Sequence, residues 1–91
     1  MEHPPTPVRA VAYALDQDTL SARHGLSLSE LARRSDLAVE TVRKQQRVHT
    51  YAPHRVPTID LEKAQRIAAV LGVPVGALFC HPNGDPIGGA L

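Results

Sequence analysis

Six basic side chains, Arg33, Arg34, Arg43, Lys44, Arg47 and Arg55, fall within residues 25–57, against three carboxylates, Glu30, Asp36 and Glu40. The middle third therefore carries a net +3 in a chain whose total is +1, while residues 58–79 balance to zero. Guanidinium and ammonium groups gathered this way donate to oxyanions, and a polyanion is the partner that rewards the arrangement. A solvated helical face has the same composition. The choice between the two rests on how the surrounding elements hold these residues.

Other chemistries find less support. His49, His54, Cys80 and His81 are potential metal ligands, but their spacing matches no compact motif and the two groups fall at opposite ends of one helix, so no metal is expected. His49 and His54 suit a loop near an anionic partner, where protonation adds charge at low pH. No nucleophile elbow, phosphate-binding glycine loop or HExxH is present, and neither an enzyme nor a cofactor is expected.

The chain has 91 residues, 43% of them hydrophobic, with Tyr13, Tyr51 and Phe79 as its aromatics. That allows one domain with an aliphatic core. Such a small core gains from further burial in a dimer. Cys80 is the only cysteine, so no intramolecular disulfide can form. No apolar run reaches ~18 residues and no leader pattern opens the chain, so a soluble cytoplasmic protein, away from membranes, is expected.

Residues 1–7, "MEHPPTP", read as a flexible arm. Thr6 and Pro7 suit the N-cap and first position of a helix starting near Val8, with Val8, Val11, Ala12, Leu15 and Leu20 as its stripe and Gly25 as its stop. "DQD" at 16–18 breaks that pattern, leaving one helix or two short ones. Ser27-Leu28-Ser29-Glu30 has the form of a capping box opening a second helix to about Ser35. Asp36-Leu37-Ala38 is a turn, and a third helix spans about Val39 to Gln46, with Val42 facing inward. Residues 48–57 read as an irregular connection. Asp60 is placed to cap a fourth helix whose Leu61, Ala64, Ile67, Ala68 and Leu71 form a buried stripe ending at Gly72. Val73-Pro74-Val75 leads to a short fifth helix with Leu78 and Phe79, and residues 80–91 form a flexible tail. No alternation is long enough to predict a sheet.

Taken in order, "LSLSELARRSDLAVETVRKQQR" (26–47) and "LEKAQRIAAVLGVPVGALF" (61–79) resemble the lambda-repressor-like, Cro-type (XRE) helix-turn-helix family. Leu20 five residues before Gly25, Leu31-Ala32, Leu37 in the turn and Val42 belong to the same pattern, which covers roughly residues 15–79. The resemblance implies an all-α fold, a compact bundle of about five short helices within residues 8–79. It also places the third helix outside the core, free to enter a major groove about 12 Å wide.

Carried over position by position, the resemblance implies base contacts from Val39, Glu40, Arg43 and Lys44. Arg43 and Lys44 would donate to guanine, Glu40 would accept from cytosine, and Val39 would pack on a thymine methyl. It implies phosphate contacts at the start of the second helix from Ser27 and Ser29, assisted by Arg33, Arg34 and Arg47. Thr41 is a further phosphate candidate, as are Tyr51 and Arg55 in the loop. Several positions depart from the family pattern: Leu28 replaces a frequent Gln, Asp36 replaces a turn glycine, and "QQR" ends the third helix, with Gln45 expected to be partly exposed. Val75, Leu78 and Phe79 are candidates for a dimer interface, or for closing the monomer core.

The function these residues lead us to expect is sequence-specific binding of double-stranded DNA by a Cro-like homodimeric repressor on a palindromic operator. The same fold serves antitoxin-type modules that bind a protein partner, and phage excision or architectural factors that bend DNA.

Overall fold

The structure, a computed structural model, describes residues 6–11, 14–46 and 58–87. Residues Pro7–Ala10 form strand β1, Ile59–Asp60 strand β2 and Phe79–Cys80 strand β3. They make an antiparallel sheet in the order β2-β1-β3. Pro7 and Val8 pair with Asp60 and Ile59 on one side, while Arg9 and Ala10 pair with Cys80 and Phe79 on the other.

The expected all-α bundle is thus incorrect: the fold is α/β. The helix expected from Val8 is strand β1, and Pro7 opens it, a strand position where a missing N–H costs little. Burial along β1 has period two, with Val8 at 0% and Ala10 at 1% exposure, Pro7 exposed and Arg9 half-buried. Ala10 belonged to no helical stripe, yet it is core.

Helix α1, Gln17–Thr19, continues into a π-helical turn, Leu20–His24, which ends at Gly25. Asp16, just before it, is extended, so the "DQD" interruption is a helix start. Helix α2 is Leu28–Arg34, α3 is Val39–Gln46 and α4 is Leu61–Leu71, followed by a 3-10 turn at Val75–Ala77. The Asp60 side chain makes no capping bond to α4. Instead the Leu61 N–H donates to the Thr6 carbonyl at 2.8 Å, so the segment leading into β1 does the capping. Helix α4 buries Ala64, Ile67, Ala68 and Leu71, as its spacing predicted. It stops at Gly72, whose φ of 71° needs a residue without a Cβ penalty.

The chain continues past β3 in a tight reversal. His81 N–H donates to the Asp85 carbonyl at 2.8 Å, and Cys80 bridges to Pro86. Cys80, expected in a tail, is buried in the sheet with a free thiol. The core joins β1, α2, α3, α4 and β3 through Val8, Leu31, Val42, Ile67 and Phe79, each at 0% exposure. Among the described residues no helix is long and apolar enough to cross a membrane.

Candidate nucleic-acid interface

Helices α2 and α3 are joined by a four-residue turn whose hydrogen bonds fix their relation. Ser35 ends α2, the Asp36 N–H donates to the Arg33 carbonyl at 3.2 Å, and the Leu37 N–H reaches back to the Ala32 carbonyl at 2.9 Å. That pair of bonds requires the residue between them to be left-handed, and Asp36 has φ 58°. Leu31 and Ala32 at 0% exposure and half-buried Leu37 fill the angle between the helices. The small Ala32 lets them approach closely.

Helix α3 has one buried side, Val42 and Gln45, and one open side. Glu40, Arg43 and Lys44 are exposed on the open side, at the three- and four-residue steps that align side chains along a helix. Val39 and Thr41 are half-buried, and Val39 packs against the core, which leaves only part of its side chain for a partner. Gln45, expected to be partly exposed, is 2% exposed, because its carboxamide accepts the Ala10 N–H at 3.0 Å.

Salt bridges decide which cations on this face stand ready. Arg43 donates to Glu40 at 2.9 Å, one turn earlier on α3. An exposed pair at that spacing contributes about 0.3–0.5 kcal/mol, whereas a bidentate arginine–guanine contact discriminates by about 1–3 kcal/mol. The guanidinium therefore trades Glu40 for a base edge at small cost. Lys44 has no ion pair among the described residues. It lines a cleft of about 260 Å³ with Thr41 and Gln45 of α3, and with Thr58, Ile59, Asp60 and Lys63 around the start of α4. Lys63 escaped the sequence reading because Asp60, Glu62 and Arg66 cancel the charge of its segment. Arg66 in fact pairs with Glu62 at 3.0 Å, leaving Lys63 to the cleft.

At the start of α2, the Ser27 hydroxyl accepts the Glu30 N–H at 3.1 Å, which is half of the expected capping box. The other half is replaced. The Glu30 carboxylate takes Arg33 and Arg34 together, the latter at 3.1 Å. The hydrogen bond from Arg33, then that from Arg34, holds the Glu30 carboxyl below its usual pKa. Three charges thus share one site with a net of +1. Ser29 is exposed one position into the helix.

Arg47, Tyr51 and Arg55, with His49 and His54, lie outside the described residues. Of the dimer candidates, Phe79 is fully buried on β3 and Leu78 is 6% exposed, so both close the monomer core. Val75, half-buried in the 3-10 turn, keeps surface to offer. Among the described residues no three His, Cys, Asp or Glu side chains converge as a metal site. No family model, curated protein or solved structure matches the chain.

Proposed function

We propose that this protein binds double-stranded DNA in a sequence-specific manner and acts as a transcriptional repressor, as a homodimer on a palindromic operator. The observation that carries the reading is the open side of α3. Glu40, Arg43 and Lys44 stand exposed in line, while Val42 and Gln45 lock the opposite side into the core. A helix held outside the core by a fixed turn, with two long cations pointing outward, suits insertion into a major groove.

In this reading Arg43 and Lys44 read guanine edges and Glu40 selects against phosphate or accepts from cytosine. Lys63 and Thr58, across the cleft from Lys44, hold a backbone phosphate beside α3, and Ser29 with Arg33 and Arg34 holds another beside α2. One such helix discriminates over too few base pairs to find an operator, and two symmetric half-sites supply the missing specificity. Occupancy of the operator then excludes polymerase or an activator.

Selection of bound fragments from a pool of random duplexes at ~150 mM salt tests this directly, since specific and non-specific binding separate there. The parent protein should enrich a palindrome, and Arg43→Ala with Lys44→Ala should lose it. A folded parent protein that enriches nothing overturns the reading.

A further inference from the structure

Gln45 is a buried polar side chain at the end of the helix that would read DNA, and its partner is the main chain of the central strand. Its Oε1 accepts the Ala10 N–H at 3.0 Å. Just past β1, the Val11 N–H donates to the Leu78 carbonyl at 2.9 Å, on the β3 side. Successive amides of an extended strand point to opposite sides, so the Ala10 N–H faces the β2 side. There β2 begins at Ile59, opposite Val8, two residues short of Ala10. The Gln45 carboxamide stands where a longer β2 would have supplied a carbonyl. The next residue repeats the device: Gln46 donates from Nε2 to the Leu15 carbonyl at 2.8 Å.

We propose that Gln45 and Gln46 are positioning residues for base recognition, which index α3 against the N-terminal strand so that Arg43 and Lys44 meet base edges in a fixed register. The inference rests on the DNA-binding reading above and adds β1 to the reading apparatus. Apolar packing through Val42 alone is non-directional and permits α3 to rotate or slide. Two hydrogen bonds to main-chain atoms on either side of residues 12–13 remove that freedom. An apolar residue at position 45 would fill the space but leave a buried amide without its acceptor. Base-edge hydrogen bonds need well-aligned donors within a narrow range of distance, whereas phosphate attraction tolerates a shifted helix. Loss of the index should therefore harm selectivity and spare general affinity.

The test compares the parent protein with Gln45→Met, a near-isosteric side chain without the carbonyl. Binding to the selected operator and to a random duplex is measured at the same salt, with amide exchange at Ala10 as a check on the bond itself. The expected result is rapid exchange at Ala10, an unchanged random-duplex affinity, and an operator preference reduced at least roughly tenfold, the scale of one mis-set base contact. If Gln45→Met does not fold, Gln46→Met, at a half-buried position that bonds the Leu15 carbonyl, carries the same affinity comparison and the same expected fall in operator preference, with exchange at Ala10 left as in the parent. An unchanged preference in the folded variant, or an equal fall in both affinities, overturns the proposal and leaves the DNA-binding reading standing. A parent protein without sequence preference overturns that reading, and this inference with it.

Discussion

Asp36 holds a backbone angle that few side chains accept. Left-handed φ costs an ordinary L-residue about 1–2 kcal/mol, and Asp less, because its short carboxylate bonds locally. The side chain is exposed, so packing does not confuse a substitution there. Asp36→Gly should be at least as stable as the parent, while Asp36→Val should lose roughly 1–2 kcal/mol, read from urea midpoints. Equal midpoints for the parent and the valine variant would contradict the turn geometry. Glu30 makes a second residue-scale prediction, through its depressed pKa. A carboxyl lowered on folding stabilises above its unfolded pKa, about 4.3, and that contribution fades as pH falls through the folded value. The stability difference between parent and Glu30→Gln should therefore be present at pH 7 and shrink below about pH 4. The same variant releases Arg33 and Arg34, so at neutral pH it should bind any duplex more tightly than the parent, most of all at low salt. Unchanged binding by a folded Glu30→Gln protein would show that the two arginines face away from DNA.

At the scale of elements, helices α2, α3 and α4 and the turn between the first two were legible and the sheet was not, for a physical reason. Helix α2 carries the Ser27 cap, α3 the inward Val42 after a polar turn, and α4 a stripe over about three turns with a stop at Gly72, each a local signal that tertiary context reinforced. Strands β2 and β3 have two residues each, too short for any period to show. β1 has four, and its buried Val8 also fits a helical stripe with Val11 and Leu15. Thr6-Pro7 imitated a helix start because proline is welcome at the first position of both elements. Ala10 separates the alternatives, since it is core only in the strand. Ala10→Leu should overpack the sheet and cost about 1–3 kcal/mol, measured by chemical denaturation. A cost near zero would restore the helical reading of this segment. At the candidate site, Arg43 and Lys44 were readable from helical spacing. Lys63 and the inward turn of Gln45 were not, because both depend on which distant segment lies opposite.

For the whole molecule, the distribution of charge sets how the proposed DNA binding should respond to salt. Each phosphate neutralised releases counterions and adds about −0.9 to the slope of log affinity against log salt. Lys63 stands on the far wall of the Lys44 cleft, close to α3 but on another helix. Lys63→Gln should therefore weaken operator and random duplex alike, with the selected sequence unchanged, since phosphate contacts position and base contacts specify. The change in slope also reports stoichiometry. A homodimer engaging two half-sites loses two ammonium groups and should become shallower by about 1.8, whereas a monomer on one half-site should lose about 0.9. Lys44→Gln differs in kind: besides a similar change in slope it should relax the selected sequence at one base position per half-site. Titrations of both variants from about 50 to 200 mM salt, the span over which such slopes are well determined, separate these outcomes. An unaltered slope for Lys63→Gln would place the cleft outside the DNA footprint and confine recognition to α2 and α3.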